Sequence, residues 1–315
     1  MRTTSDFWKS KKVMVTGGSG FLGKFILQNL EKSGCENIVV PRSTEYDLRK
    51  ESTAVDLLRI HQPNMVIHAA AAVGGIGANI SNPGKFFYDN AIMGLHMIEA
   101  SRICGLDKLI IIGSVCSYPE NASIFRENEL WDGYPEPTNA PYGLAKKMLL
   151  VQSQAYRKQY DMEIIYLLLS NLYGPGETLD PDNSHVTAAI ILKCLTAIEK
   201  NEPGITLWGD GSQTRDFLFV DDAAFGILQA AEHYNNPAPI NIGSGEETSI
   251  RTLAEHIKEI SEFKGEIHWD TSKPSGQQRR LVDSSRARQH FGYEANTKLK
   301  DGLKQEIYWL KNNTK

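Results

Sequence analysis

VTGGSGFLG, residues 15–23, is the stretch on which the fold turns. Gly17, Gly20 and Gly23 stand at GxxGxxG spacing, directly after the apolar run KVMV and directly before a helical pattern beginning at Phe21. Strand, glycine turn and helix in that order suit a dinucleotide. The glycines permit a tight turn and close backbone approach, and the helix N-terminus offers free N–H groups and a positive dipole end to a pyrophosphate. The glycines alone would be an ordinary turn; the elements on either side give the pattern its weight.

Outward from that turn, short apolar runs alternate with helical patterns. NIVVP, NMVIHAA, KLIIIGSV and EIIYLLLSNLYGPG read as strands, with helices from about Phe21, Glu51, Pro83 and Tyr142 between them. Strands this apolar on both faces belong to a parallel sheet covered on both sides. After Tyr173 the rhythm changes to Pro- and Gly-punctuated segments, and DDAAFGILQAAEHY with PINIGSG then resembles the first half again. The expected fold is α/β: a Rossmann, doubly wound parallel sheet with a second, smaller α/β substrate domain. Residues 1–171 and 217–245 are assigned to the first and 172–216 and 246–315 to the second.

The 315 residues suffice for about two domains. Hydrophobic residues make up 41% and charged residues 23% of the chain, which argues against disorder, and no apolar run approaches the roughly 20 residues a membrane helix needs. The polar N-terminus lacks a secretory h-region, so a cytoplasmic protein is expected. Cys35, Cys104, Cys116 and Cys194 are scattered without CxxC spacing, giving neither a zinc site nor a disulfide framework. A net charge of -4 and the absence of a basic stripe argue against nucleic acid.

Cofactor choice rests on the end of the second strand, where an acidic residue would bond a ribose 2′-OH and an arginine would suit a 2′-phosphate. VVPRSTEYD places Arg42 there, which favours NADP over NAD, although Glu45 or Asp47 could turn toward the ribose. Further along, PYGLAKK sets Tyr142 and Lys146 at i, i+4, on one helical face. An ammonium beside a phenol favours phenolate and brings the tyrosine toward useful acid–base range. Ser114, one strand earlier, could bond a substrate carbonyl or alcohol. In GSVCSYP, strand alternation would place Ser114 and Cys116 on the same side, so that Cys116 lines the same cleft.

Glycine turn, serine and YxxxK, in this order, resemble the short-chain dehydrogenase/reductase superfamily, in its extended nucleoside-diphosphate-sugar branch. The combination of GSVCSYP, PYGLAKK, SNLYGPG, PDNSHV and LWGDGSQTRDFLFVDD, with AAVGGIGAN, is similar to the GDP-L-fucose synthase family over essentially the whole chain. That resemblance implies a GDP-4-keto-6-deoxy sugar substrate, NADPH, and one pocket for two reactions. Cys116 would be the base and His185 the acid for inversion at C3 and C5. Tyr142 would give the proton when hydride reduces C4, Ser114 would orient the oxygen, and Lys146 would hold the nicotinamide ribose.

The resemblance further implies cofactor contacts from Gly17, Gly20, Phe21, Leu22, Gly23, Arg42, Asp47, Leu48, Ala69, Ala70, Asn171 and His185. Substrate contacts fall on Asn171, Lys193, Trp208, Arg215 and Arg280, no metal is called for, and a homodimer is expected. Three competing readings remain at this stage. One is C4 reduction, or epimerisation and reduction, of another GDP-4-keto sugar such as a heptose. The others are a non-catalytic NADP sensor and a C4 epimerase with retained NAD, against which the presence of Tyr142 and Lys146 and of Arg42 weighs respectively.

Overall fold

The computed structural model describes residues 6–177, 184–273 and 277–313. Its strands in chain order are β1 (Lys12–Thr16), β2 (Asn37–Val39), β3 (Met65–His68), β4 (Lys108–Ser114), β5 (Glu163–Leu169) and β6 (Asn171–Tyr173). They continue with β7 (Gly204–Trp208), β8 (Thr214–Phe219), β9 (Ile240–Ile242), β10 (Glu247–Ser249), β11 (Glu266–Asp270) and β12 (Arg279–Arg280).

A parallel six-stranded sheet runs in the order β2-β1-β3-β4-β5-β9. The chain moves from β1 to one side for β2, then crosses back to the other side for β3. The carboxyl ends of β1 and β3 therefore diverge into a crevice, the place where ligands bind in open α/β sheets. Alternate residues of β4 explain why both faces are apolar. Ile110 and Ile112 join a cluster with Ile26 and Leu30 of the Phe21–Lys32 helix and with Ile227 of the Val220–His233 helix. Leu109 and Ile111 join Leu57, Met97 and Leu149 on the opposite side, from helices Glu51–His61, Pro83–Cys104 and Ala140–Tyr160. Each such side chain contributes about 1.5–3 kcal/mol by leaving water. The doubly wound parallel sheet read from the sequence is the one observed.

Beyond Leu169 the chain leaves this sheet. β8 pairs with β10 (antiparallel), β12 (parallel) and, at its far end, β6 (parallel). β7 pairs with β11. Helices Val186–Lys200, Ile250–Ser261 and Leu299–Asn313 pack with these strands around a third cluster containing Ile191, Phe217, Leu253 and Leu303. The Val220–His233 helix and β9 then rejoin the large sheet. Among the described residues no helix is long and apolar enough to cross a membrane.

Two glycines of the opening turn are required by contact. Gly17 has φ +74°, and a Cβ there would lie 2.8 Å from the Ala70 backbone nitrogen. A Cβ on Gly23 would lie 2.1 Å from the Gly17 carbonyl oxygen, so only glycine lets the helix start against the turn. Gly23→Ala is expected to lower unfolding free energy by about 1–3 kcal/mol, in the range of overpacking, and to weaken dinucleotide binding. Urea denaturation and nucleotide titration check this.

Candidate active site

The crevice opens into a cleft of about 1340 Å³, larger than the roughly 300–1,000 Å³ of a usual single-ligand pocket. Gly17, Gly20, Phe21, Leu22, Gly23, Asp47, Leu48, Ala69 and Ala70 line one end. Ser114, Cys116, Tyr142, Lys146, Asn171 and His185 line the cleft as well, as do Lys193, Trp208, Arg215 and Arg280. The glycine turn at the start of the Phe21–Lys32 helix and the volume both fit a dinucleotide beside a second nucleotide.

Arg42 is not brought into that lining. It stands exposed, its carbonyl accepting the Glu45 and Tyr46 N–H groups at 3.0 and 2.8 Å in a surface turn. The arginine of this segment that does line the cleft is Arg49. It donates to Asp47 at 2.8 and 3.0 Å and reaches Asp89 at 3.7 Å, and this pairing holds the Asp47 carboxyl down at about 2. Asp47 is thus engaged by a neighbouring side chain.

Ser114 ends β4, but Cys116 does not continue it. Val115–Ser117 form a single 3₁₀ turn, capped by the Ser114 hydroxyl, which accepts the Cys116 N–H at 3.2 Å. The side-by-side placement expected from strand alternation is therefore replaced by a turn, and the two residues still share the cleft wall. The Ala140–Tyr160 helix packs on that turn backbone to backbone. A Cβ on Gly143 would fall 2.1 Å from the Cys116 carbonyl oxygen, and the Ser117 hydroxyl donates to the Gly143 carbonyl at 2.8 Å. Gly143 lies between Tyr142 and Lys146, so this contact carries both against Ser114 and Cys116.

Burial dominates the charges. It pushes the Tyr142 phenol well up, with the nearby Cys116 adding and a hydrogen bond from Ser114 subtracting. The expected drift toward phenolate is corrected: desolvation outweighs the hydrogen bond from Ser114 and favours the protonated phenol. Lys146, 2% exposed, is pushed down to about 8 by burial, and its Nζ donates to the Ile112 carbonyl at 3.1 Å. Beneath it, buried His68 is driven to about 3 by burial and then by the Lys146 charge, and is neutral.

Two guanidiniums meet at the far end. Arg215 of β8 and Arg280 of β12 are register partners on adjacent parallel strands, both buried. Burial and then the Arg280 charge push Arg215 down to about 9, while Cys116 and Glu136 act the other way. An anion between the two guanidiniums would be held strongly. The Arg280 Nη1 lies 3.8 Å from the Cys116 Sγ, and its Nε donates to the Gln277 Oε1 at 2.9 Å. Gln277 also donates to the Glu120 carbonyl at 2.7 Å, tying the arginine to the segment after Cys116.

His185 is the N-cap of the Val186–Lys200 helix and opens onto the cleft, where the residue is exposed while desolvation of its ring lowers the imidazole from its usual value. Lys193, two turns on, donates to the Thr206 carbonyl at 2.6 Å, and Asn171 to the Asp216 carbonyl at 3.0 Å. Trp208 lines the cleft and is 52% exposed. Gly143, Gln277, Arg49 and Glu177 escaped the sequence reading; of these only the glycine, inside YGLAK, carried a local signal.

The profile of the NAD dependent epimerase/dehydratase family matches residues 13–243. The chain belongs to this family. A probable GDP-L-fucose synthase 1 of Oryza sativa subsp. japonica is 39% identical over 97% of this chain and 93% of its own length. Among solved structures, a GDP-6-OMe-4-keto-L-xylo-heptose reductase from C. jejuni superposes with TM-score 0.89 at 27% identity, covering 96% and 98% of the two chains. A GDP-L-fucose synthetase from Naegleria fowleri bound to NADP gives TM-score 0.86 at 26% identity, covering 97% and 95%.

Lys146→Met tests the electrostatics. The ammonium binds its proton less tightly in the fold, near 8, than in the unfolded chain, near 10.4, so its full cost is present below pH 8. Between pH 8 and 10 the unfolded chain holds more protons and the wild type gains stability. The variant is expected to be about 1–3 kcal/mol more stable at pH 7, with the advantage shrinking toward pH 10, and to lose turnover. Urea denaturation across that range checks it.

Proposed function

We propose that this protein converts GDP-4-keto-6-deoxy-D-mannose to GDP-L-fucose, inverting C3 and C5 and then reducing C4 with NADPH. The observation that carries this is the single cleft in which Cys116, seated beside the Arg280 guanidinium, and His185 share space with Ser114, Tyr142 and Lys146. A pure reductase needs only the last three. The relative from rice, named a GDP-L-fucose synthase, supports the same reading.

The C4 carbonyl of the substrate acidifies the neighbouring C–H bonds. Cys116 removes a proton at C3 and at C5, the electron pair moving into the C4 oxygen as an enolate. His185 returns a proton on the opposite face. Ser114 and the protonated Tyr142 donate hydrogen bonds to the C4 oxygen, stabilising the enolate and orienting the ketone. Bound NADPH supplies the hydride for C4; Tyr142 then yields its proton to the oxygen, giving the alcohol. Lys146, a buried cation one helical turn away, stabilises the phenolate left behind and is placed to hold the nicotinamide ribose.

Gly17, Gly20, Phe21, Leu22 and Gly23 would cradle the pyrophosphate, with Asp47, Leu48, Ala69 and Ala70 along the adenosine half. Arg49, with Arg42 at the rim, supplies positive charge for a 2′-phosphate. The GDP diphosphate would lie toward Arg215, Arg280 and Lys193, with Trp208 against the nucleotide and Asn171 at the sugar. In this assignment residues 1–171 and 217–245 hold the cofactor and 172–216 and 246–315 the sugar nucleotide. The protein would act in the cytoplasm as a homodimer through the outer faces of helices Pro83–Cys104 and Ala140–Tyr160, which leave Phe87, Tyr88, Ile103, Val151 and Tyr160 exposed.

A second reading is reduction of a GDP-4-keto-heptose, favoured by the likeness to the C. jejuni reductase. Incubation with NADPH and GDP-4-keto-6-deoxy-D-mannose in D₂O separates them. The expected product is GDP-L-fucose with deuterium at C3 and C5. Cys116→Ser should lower deuterium incorporation at least about 100-fold, and Tyr142→Phe should abolish NADPH consumption while lowering exchange only in part, because Ser114 still donates to the enolate oxygen. Reduction without deuterium would leave a C4 reductase, and turnover only with a heptose would establish the second reading.

A further inference from the structure

The mechanism leaves unused two buried carboxyls behind His185. Glu177 follows the Gly174–Gly176 bend after β6, and its Oε1 accepts the backbone N–H of His185 at 2.8 Å. Its Oε2 faces the Thr187 hydroxyl at 3.4 Å, so one carboxylate grips the first turn of the helix whose N-cap is His185. This is an external cap: the helix start has no side-chain cap of its own. Such caps contribute about 0.5–2 kcal/mol and fix the entry path of the chain.

The second carboxyl, Glu306, is 1% exposed, and its oxygens have no side-chain partner among the described residues, only the backbone N–H of Gly174 facing them. It projects from the Leu299–Asn313 helix, which lies hard against β6: a Cβ on Gly302 would sit 2.3 Å from the Tyr173 hydroxyl. Burial first, then repulsion from Glu177, pushes the Glu306 carboxyl far up, and burial raises Glu177 to about 7. Two carboxyls in such a place cannot both ionise. Glu306 is the neutral member, and the single negative charge rests on Glu177, where the His185 N–H and the Thr187 hydroxyl donate to it.

We infer that Glu177 is a positioning residue for His185, fixing the backbone at the start of the Val186–Lys200 helix so that the imidazole faces the sugar. This rests on the proton-donor reading of His185 above. An unanchored helix start would let the ring swing toward open solvent without touching Cys116, Tyr142 or the cofactor end of the cleft.

The test uses the full-length protein with Glu177→Ala and Glu177→Gln. Deuterium exchange into GDP-4-keto-6-deoxy-D-mannose is followed with NADP⁺ present and NADPH omitted. In parallel, ligand-free protein labelled in histidine is titrated by NMR, the His185 signal being assigned by its loss in His185→Gln. Glu177→Ala should lower exchange about tenfold or more, and Glu177→Gln should stay within about threefold of wild type because the amide oxygen still accepts the His185 N–H. The His185 ring should titrate at higher pH in Glu177→Ala, since burial is what holds it down. Loss of a nearby negative charge alone would move it lower, so the sign separates a displaced ring from an altered field. Equal defects in the two variants, or an unmoved His185 titration in Glu177→Ala, would overturn the inference. Absence of exchange in wild type would sink the functional reading, and the NMR titration would still decide the role of Glu177.

Discussion

Everything in the cleft depends on one close approach: the backbone of Gly143 against the carbonyl of Cys116. Any side chain at Gly143 would hold the Ala140–Tyr160 helix off the 3₁₀ turn at the end of β4. Because the glycine sits between Tyr142 and Lys146, the contact sets the phenol, the ammonium, the serine and the thiol in one frame. The Ser117 hydroxyl closes the contact with a hydrogen bond to the same glycine. Displacements of an ångström in such frames cost about 100-fold in rate, so a contact with no chemistry of its own governs the groups that have it.

Around that frame the protein concentrates buried positive charge in a chain whose net charge is -4. Lys146, Arg215 and Arg280 are each at most 8% exposed. Their desolvation opposes folding, as the depressed Lys146 and Arg215 show. Anionic ligands offset it when they bind, so the cleft is built to be more comfortable full than empty. The acids nearby are handled differently. Burial raises the Glu136 carboxyl, but donation from Thr138 and Asn139 outweighs it and the group ends up lowered, while Glu306 is left neutral.

The sheet was legible because its evidence is local: apolar runs of strand length, a glycine turn, and helical periods between them. The candidate site was legible as motifs, since Ser114, Tyr142 and Lys146 belong to patterns with fixed spacing and all line the cleft. What could not be read depends on packing between distant segments. Alternation along GSVCSYP placed Cys116 rightly in the cleft for a wrong reason, because a helix arriving from residue 140 onward turns the chain. The Tyr142 phenol was expected to drift down beside a lysine, but burial exceeds that effect. Arg42 follows the second strand in sequence, yet the arginine of that segment lining the cleft is Arg49. The register that sets Arg215 opposite Arg280, and the fold that brings Glu306 behind Glu177, join residues far apart in sequence.

The account stands or falls on whether one frame serves both the C–H chemistry and the hydride step. The most direct measurement is Gly143→Ala, assayed as folded protein for deuterium exchange and for NADPH consumption with the same GDP-4-keto sugar. A shared frame predicts that both fall together, by about tenfold or more. Either activity surviving at the wild-type rate would show that the thiol and the phenol are positioned independently.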